Sequence, residues 1–399
     1  MTPSSVAADP GATAGSAASQ TQGLPGWAEI DLSALEHNVR SLRERAPDAD
    51  FMAVVKADAY GHGLLPVARA AVRAGAGWLG VAQFSEAFAL RDAGLDTRLL
   101  TWLSVPGADF TGAVRRDIDL SASATWVLDE IATAAHALGT TARVHLKVDT
   151  GLGRGGAFGA DFTSLVGHAR SLEAQGAICV VGIWTHFAFA DSPRHPTVIA
   201  QQERFFEAVA EAERAGIRPE VRHLANSAAT LVHPSAQADL VRPGIAMYGL
   251  SPVPQVDDDF DLRPVMSLRM RLALVKRLPA GQGVSYGHTY TPKVDTVVGL
   301  VPAGYADGIP RDASNVGPVS RGSHRTTIAG RVCMDQFVVD LGPDSDAVAG
   351  DVITLFGAGP GEPSAQEWAD ATGTISYEIV TRIGARVPRI VTGGSQGRS

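Results

Sequence analysis

Short apolar runs alternate with longer amphipathic stretches over much of this chain, and no other feature constrains its fold as strongly. The runs are rich in β-branched residues, as buried strands are, and most of the amphipathic stretches end in Gly, as helices often do. The runs are FMAVV (51–55), WLGVA (78–82), RLLTWL (98–103), IDLSAS (118–123), ARVHLKV (142–148), ICVVGIW (178–184), VRHL (221–224) and DLV (239–241). Eight strands alternating with helices over about 200 residues predict an α/β fold, a (β/α)8 barrel of the TIM type. The last runs are short, so the pattern alone leaves a doubly wound open sheet as an alternative.

The sequence changes character near Leu262, where strand-like runs follow one another between Gly, Pro and Asp turns. The runs are MSLRMRLALVKRL, TVVGLVP, RTTIAG, FVVDL, DVITLFG and ARVPRIV, with one helical segment, SAQEWADA. This pattern predicts a second, mainly β C-terminal domain over residues 262–399. The barrel is expected at 27–261, where WAEIDL predicts an extra strand and Ser33 is expected to be the N-cap of the helix that follows. Residues 1–26 are small and polar and are expected to form a disordered tail.

Composition restricts the function classes. The chain has 399 residues, 45% of them hydrophobic, and a formal net charge of −8. This charge argues against nucleic acid or an anionic membrane as the main partner, so basic groups at a site are expected to face a small anion. The two cysteines, Cys179 and Cys333, form neither a disulfide framework nor a zinc motif. With neither a signal peptide nor a long apolar span in the sequence, a cytoplasmic enzyme is expected.

Reactive groups in such barrels lie at the carboxyl ends of the strands. Lys56 directly follows FMAVV, and the segment YGHG after it offers Tyr60 in a tight turn. A lysine at a strand end is usually a solvated terminus. In a partly desolvated pocket, however, its pKa falls, and the free amine then attacks aldehydes.

Polar groups also follow the later strands. At the ends of the fifth to eighth runs, or shortly after them, stand Lys147, Arg154, His186, His223, Asn226, Ser227, Arg242, Gly244 and Ile245. The last two strands of such barrels commonly bind phosphate, and Ser227 begins a predicted helix there. A phosphorylated cofactor held by these strands, with a lysine from the first, is what a pyridoxal-phosphate barrel requires.

Nine sequence blocks resemble the alanine racemase family, in its order and spacing. VVKADAYGHG is similar to the cofactor-attachment signature of that family. The similarity continues through KVDTGLGRGG, THFA, HLANSAA, VRPGIAMYGL, GVSYGHTY, PAGYADG, GRVCMDQ and ISYEI. The resemblance implies a barrel that binds pyridoxal 5′-phosphate, followed by a β domain.

The resemblance also implies a reaction. Lys56 would hold the cofactor as a Schiff base and act as one of two bases that interconvert L-alanine and D-alanine. Tyr286 would be the other base, contributed by the second subunit of a homodimer. Racemisation needs proton removal on one face of the carbanion and delivery on the other, which two opposed acid–base groups provide. The resemblance further implies that the D-alanine serves peptidoglycan synthesis.

Further roles come from the same resemblance. Arg242 would face the pyridine nitrogen and leave it largely unprotonated, which disfavours transamination, and His223 would support this arginine. His186 would pair with Tyr286, and Lys147 matches a lysine that is often carbamylated. Phosphate contacts would come from Tyr60, Asn226, Ser227, Gly244, Ile245 and Tyr377. Substrate contacts would come from Arg154, Met334 and Tyr305.

Other functions fit the residues less well. A serine or broad-specificity racemase is disfavoured by Tyr377, which leaves little room beyond a methyl side chain. A non-catalytic barrel protein that binds pyridoxal phosphate would lack the C-terminal domain. A decarboxylase on the same barrel is disfavoured by Arg242, since that chemistry uses a carboxylate at the pyridine nitrogen.

Overall fold

A computed structural model of the chain describes residues 17–256 and 260–394. These residues form two compact units. The barrel unit comprises Asp31–Met266, Thr374–Arg382 and the described residues from Gly393. The β unit comprises the described residues up to Ile30 together with Ser267–Gly373 and Ile383–Thr392.

The strands and helices are as follows. The strands are β1 Gly26–Asp31, β2 Asp50–Val54, β3 Trp78–Val81, β4 Arg98–Thr101, β5 Asp119–Ala122, β6 Ala142–Lys147, β7 Ile178–Trp184, β8 Val221–His223, β9 Leu240–Val241, β10 Met266–Arg271, β11 Leu274–Leu278, β12 Thr296–Val301, β13 Pro318–Arg321, β14 His324–Thr327, β15 Phe337–Gly342, β16 Val352–Phe356 and β17 Arg389–Thr392. The helices are α1 Ala17–Gln20, α2 Leu32–Glu44, α3 Lys56–Gly61, α4 Leu64–Arg73, α5 Phe84–Asp92, α6 Phe110–Arg115, α7 Thr125–Leu138, α8 Ala160–Ala174, α9 Pro196–Arg214, α10 Ser227–Val232, α11 Ala365–Thr372 and α12 Ser376–Thr381.

The barrel unit is a closed parallel sheet. Its strands are ordered β8-β7-β6-β5-β4-β3-β2-β9, and β2 pairs in parallel with both β3 and β9. Two backbone bonds join the ends: Asp239 N–H donates to the Arg222 carbonyl (3.1 Å), and Arg242 N–H donates to the Ala225 carbonyl (2.9 Å). Closure confirms the predicted (β/α)8 barrel and rules out the open sheet that the sequence pattern had left as an alternative.

The eight predicted runs became strands because both of their faces are covered. Parallel strands of this kind lie between an apolar interior and a ring of helices, so nearly every side chain is apolar. Inside the barrel, one cluster consists of Met52, Trp78, Leu100, Val221 and Leu240, all at most 7% exposed. The carboxyl ends of the strands meet at one rim, which is where the polar residues after each run are placed.

The β unit contains two sheets. The larger has the order β14-β13-β16-β10-β1-β17, and the smaller has the order β11-β12-β15. Burial alternates along β10 and β15, as expected for antiparallel strands that cover a core with one face. The mainly β prediction is confirmed, as is the strand at WAEIDL. Strand β13 and helix α12 were not predicted, and α12 belongs to the barrel unit.

The N-cap prediction for α2 is wrong. Asp31, not Ser33, precedes the helix, and its Oδ1 accepts from the backbone N–H groups of Ser33 (2.8 Å) and Ala34 (3.2 Å). A carboxylate there satisfies two N–H groups and also interacts favourably with the positive end of the helix dipole. Ser33 lies within the helix, where its Oγ accepts from Gly394 N–H (2.8 Å).

The amino-terminal prediction concerns residues that are partly outside the described range. Of the tail predicted at 1–26, residues 1–16 are not described. In the described part, Ala17–Gln20 form one helical turn and Thr21 is buried. In the part of the chain that the structure describes, we find no helix with the length and apolar character needed to span a membrane.

Candidate functional site

A cavity of about 590 Å³ opens at the carboxyl ends of the barrel strands. Eleven residues singled out in the sequence line it: Lys56, Tyr60, Lys147, Arg154, His186, Asn226, Ser227, Arg242, Gly244, Ile245 and Tyr377. They come from the ends of β2, β6, β7, β8 and β9 and from α12, so residues far apart in sequence meet at one rim. All lie in the barrel unit.

Lys56 opens a left-handed helical turn. Ala57, Asp58, Ala59 and Tyr60 have φ values of 55, 53, 54 and 54°. Left-handed backbone costs about 1–2 kcal/mol per L-residue, which amounts to roughly 4–8 kcal/mol for these four. The sequence predicted a tight turn here, but nothing in Ala-Asp-Ala-Tyr indicates this conformation, since none of the four is glycine.

Surrounding contacts hold the turn in place. The Glu86 carboxylate accepts from Ala57 N–H, and Asp58 Oδ1 accepts from Leu64 N–H (2.8 Å). Gly61 lies so close to α12 that a Cβ there would be 2.6 Å from the Val380 carbonyl oxygen. Strained backbone persists only where its surroundings determine it, and here it brings the side chains of Lys56 and Tyr60 to the same cavity.

The cavity lining is cationic. Among the described residues that line it are Lys56, Lys147, Arg154 and Arg242, and no Asp or Glu. Burial, followed by the positive charges of Arg154 and Arg242, lowers the pKa of Lys56, while Glu86 acts in the opposite direction. Burial and the same two arginines lower the pKa of Lys147 to about 8. Such a cavity favours anionic ligands and increases the free-amine fraction of both lysines.

Trp184, at the end of β7, forms one wall that sequence reasoning missed. Lys147 Nζ lies 4.2 Å from the centroid of its ring and Arg242 Cζ 5.0 Å, so two cations face its π-system. Its other contacts include a stacked His223 ring, with centroids 5.6 Å apart, and a hydrogen bond from Nε1 to Ser121 Oγ (2.9 Å). The sequence places an aromatic residue at a strand end, which is equally typical of plain core packing.

Arg242 is a buried cation with neutral partners. Its guanidinium donates to His223 Nδ1 (3.2 Å), the Thr185 carbonyl (2.9 Å) and the Leu224 carbonyl (3.2 Å). Burial lowers the pKa of Arg242 to about 9, which still leaves it protonated at neutral pH. Burial and the charge of Arg242 hold the pKa of His223 well below its ordinary value, so this ring is a neutral acceptor. His223 does not line the cavity; it lies behind Arg242.

Ser227 and Gly244 form a polar corner of the cavity. Ser227 Oγ accepts from the backbone N–H groups of Gly244 (2.8 Å) and Ala246 (3.3 Å), and Asn226 Oδ1 accepts from Ala229 N–H (3.0 Å). Tyr60 closes this corner. A Cβ on Gly244 would lie 2.2 Å from the Tyr60 Oη, so the position requires glycine.

Tyr60 is itself enclosed by aromatic rings. Its ring centroid lies 4.8 Å from that of Tyr248 and 6.3 Å from that of Tyr377. Burial raises the pKa of Tyr60 and of Tyr377, so both keep their hydroxyl protons and can donate to an anion.

Pyridoxal phosphate fits this set of donors. It needs an amine for its aldehyde, several donors for its phosphate, and a partner for its ring nitrogen. Lys56 offers the amine, and Arg242 offers a donor that stays protonated. The corner around Ser227, with the Tyr60 hydroxyl beside it, offers donors to phosphate oxygens, and the cavity lining supplies the positive charge that the phosphate requires.

The three remaining predicted residues meet in the β unit. Tyr286, Tyr305 and Met334 line a second cavity of about 490 Å³ together with Arg311 and Arg331. Their side chains are largely accessible, with Tyr286 73% exposed. Tyr286 follows Ser285, whose φ of 60° turns the chain sharply before it. These three residues do not line the barrel cavity.

Comparison with known proteins gives concordant results. Residues 30–252 match a family model described as alanine racemase, N-terminal domain, and residues 265–391 match alanine racemase, C-terminal domain. Alanine racemase from Streptomyces coelicolor is 59% identical over 371 residues, covering 91% of this chain and 95% of that protein. Among solved structures, alanine racemase from D-cycloserine-producing Streptomyces lavendulae has a TM-score of 0.92 and 53% identity, covering 94% of this chain and 98% of that one. Alanine racemase from Bacillus anthracis with bound L-Ala-P has a TM-score of 0.86 and 37% identity, covering 94% and 96%.

Proposed function

The chain belongs to the alanine racemase family, and on this premise we propose that it interconverts L-alanine and D-alanine with pyridoxal 5′-phosphate as cofactor. One observation carries the proposal most directly. The partly buried amine of Lys56 shares a cavity with three further cationic side chains at the mouth of a (β/α)8 barrel. The Bacillus anthracis relative was solved with L-Ala-P bound, which is in keeping with a site for an alanine-like ligand.

The cofactor would be held at both ends. Lys56 would bind it covalently, and the phosphate would be bound by Tyr60, Tyr377, Asn226, Ser227 and the backbone of Gly244 and Ile245. Arg242 would donate to the ring nitrogen. When bound, the cofactor withdraws electrons from the amino acid and so makes its α-proton acidic. Because Arg242 remains protonated, it would offer the ring nitrogen a hydrogen bond and no full proton, which would restrain transamination.

Two groups would move the α-proton. Lys56 Nζ would take or return it on one face, and its lowered pKa increases the fraction of the free amine. The partner subunit's Tyr286 would act on the opposite face, since racemisation requires acid–base groups on both. His186 would pair with that tyrosine; burial, followed by the charge of Arg242, holds the pKa of His186 well below its ordinary value, so it is a neutral acceptor.

The substrate would be oriented by its carboxylate. Arg154 and the backbone of the partner subunit's Met334 would bind it, and Tyr377 with the partner subunit's Tyr305 would narrow the space beyond the α-carbon. Lys147 would be carbamylated and would orient Arg154, since a pKa near 8 leaves part of its amine free to react with CO2. The proposal thus describes a cytoplasmic homodimer that makes D-alanine for peptidoglycan.

The test compares two variants and their mixture. Lys56→Ala should abolish racemisation and the absorbance of the covalently bound cofactor, whereas Lys293→Ala, at an exposed lysine, should change neither. Tyr286→Ala should slow proton abstraction from one alanine enantiomer far more than from the other. Refolding the two inactive variants together should restore one working site in each mixed dimer.

Each part of the proposal can fail separately. A covalent cofactor band that persists in Lys56→Ala refutes the attachment site. Equal and small losses for the two enantiomers in Tyr286→Ala refute the two-base mechanism. Turnover of serine or larger amino acids at rates near that of alanine would make the protein a broad-specificity racemase.

A further inference from the structure

A continuous chain of buried polar side chains extends from Arg242 into the interior of the barrel. Arg242 Nη1 lies 3.2 Å from His223 Nδ1, His223 Nε2 lies 2.9 Å from His145 Nδ1, and His145 Nε2 lies 3.2 Å from Asp119 Oδ2. Asp119, His145 and His223 are each 0% exposed, and Arg242 is 5% exposed. Neither Asp119 nor His145 lines the cavity or takes part in the steps described above.

The residues at the two ends of this hydrogen-bonded series determine which group donates in each of its bonds. Arg242 has N–H groups only and must donate, whereas an ionised Asp119 can only accept. Burial alone would raise the pKa of Asp119, but its hydrogen bonds to His145 and Arg98 and the charge of Arg143 outweigh burial and hold the pKa below the ordinary range. A consistent set of bonds then has Arg242 donating to His223 Nδ1, His223 Nε2–H donating to His145 Nδ1, and His145 Nε2–H donating to Asp119.

An additional proton on the ring of His145 or His223 disrupts this set of hydrogen bonds. If His145 were doubly protonated, its Nδ1–H would point at His223 and force the proton of His223 onto Nδ1. That proton would then face the N–H of Arg242, donor against donor. The neutral form of both rings is therefore the arrangement that leaves Arg242 with an acceptor.

The barrel is shaped around this chain. Gly182 on β7 leaves the space for His145, because a Cβ there would lie 2.1 Å from His145 Nδ1. The edge of the Trp78 ring packs against His145, with centroids 5.6 Å apart, and Trp184 stacks on His223. At the far end, Arg98 donates to Asp119 Oδ2 (2.8 Å), the oxygen that His145 also contacts, and Arg143 donates to Oδ1 (2.5 Å). Burial of four polar groups in an apolar core costs free energy, and the hydrogen bonds that join these groups offset that cost.

We propose that Asp119 and His145 are positioning residues: they fix the tautomer of His223 so that it can only accept from Arg242, and they thereby hold the guanidinium in place at the cavity. The consequence for catalysis rests on the proposed function, since it assumes that Arg242 faces the cofactor ring. The hydrogen-bonded series Arg242–His223–His145–Asp119, called the relay below, is a property of the fold and is independent of the reaction.

Neutron diffraction from crystals of the full-length holoenzyme in D2O tests the relay directly. The expected result is one deuterium on Nε2 of both His145 and His223, and none on Nδ1 of either. Deuterium on His223 Nδ1, or on both nitrogens of either ring, overturns the proposal. This readout does not depend on activity, so an inactive protein would contradict the proposed function while leaving the relay to be judged on the neutron map.

Variants test whether the relay acts on the reaction. In Asp119→Asn the amide can donate to His145 and reverse the chain, so kcat for alanine should fall about tenfold while KM stays within about threefold. Asp117→Asn is the matched control. Asp117 also pairs with Arg143 (2.6 Å) but is 77% exposed and lies outside the relay, so kcat should change by less than about twofold.

A double-mutant cycle separates the relay from a general structural effect. His223→Asn places an amide oxygen near the position of Nδ1, so Arg242 keeps an acceptor that no longer depends on Asp119. Adding Asp119→Asn to this variant should cost less than about twofold. A full tenfold loss in both backgrounds would show that the effect of Asp119 bypasses His223, and it would refute the positioning role.

Discussion

Gly244→Ala is the substitution whose consequence follows most directly from the structure. The new Cβ would lie 2.2 Å from Tyr60 Oη, 2.9 Å from Cζ and 3.4 Å from Cε2. Tyr60 has little freedom to retreat, because it lies on the left-handed turn and its ring packs against Tyr248 and Tyr377. The steric overlap would therefore displace the backbone of the polar corner around Ser227.

The expected cost is that of overpacking, about 1–3 kcal/mol. For a unit of this size each kcal/mol lowers the melting temperature by about 2–4 °C, so Gly244→Ala should melt roughly 2–12 °C below the wild type. Thermal unfolding followed by circular dichroism measures this shift. Affinity for pyridoxal phosphate should fall with it, since the same atoms would bind the phosphate.

Two further variants make the reasoning refutable. Tyr60→Phe removes the atom at 2.2 Å, so Gly244→Ala should cost clearly less in that background than in the wild type. Gly167→Ala is the matched control: it lies within α8 with nothing within 4 Å of its Cβ, and it should stabilise by about 0.5–1 kcal/mol. An unchanged melting temperature for Gly244→Ala, or an equal cost with and without the Tyr60 hydroxyl, would show that the steric argument is wrong.

Two more predictions concern the capping of α2 and the buried lysine. Asp31→Ala should destabilise the barrel unit by about 1 kcal/mol in urea unfolding and Ser33→Ala by less than half of that, because Asp31 caps the helix; the reverse order would contradict this assignment. With ¹³CO2 at a fixed dissolved concentration, the wild type should show a carbamate ¹³C signal that is lost in Lys147→Ala and retained in Lys293→Ala. Because protonation blocks the amine, and burial lowers the pKa of Lys147 to about 8, the signal should weaken as the pH falls below 8; a signal independent of pH would contradict this site.

The sequence predicted those parts of the fold that depend on periodic burial. The barrel strands lie at the predicted runs because fully buried parallel strands read as continuous apolar segments. Strand β13 was missed because PVSR is short and begins with Pro, and α12 because six residues give too little periodicity. The predicted cap at Ser33 failed because Asp31 was read only as part of the strand WAEIDL and not also as the residue that caps the following helix.

The cavity residues were predictable to the extent that they follow strands. Lys56 and Arg242 stand directly after apolar runs, so the barrel geometry alone brings them together. His145 lies inside a run, where a single histidine reads as an ordinary core residue, and Trp184 reads in the same way. Their roles depend on partners that are far away in sequence, which no local pattern reports.

Features that destabilise the fold locally, such as strained backbone and buried charge, are concentrated at one rim of the barrel. The left-handed turn after Lys56, the buried guanidinium of Arg242 and the close approach of Gly244 to Tyr60 each cost stability, and all three place donors toward the same cavity. The apolar interior formed by residues such as Met52 and Leu240 offsets these costs without taking part in the chemistry. Local conflicts of this kind are expected where function, not folding, selects the residue. Away from that rim, a barrel that needed only stability would fill the places of Asp119 and His145 with apolar side chains, which supports their proposed positioning role.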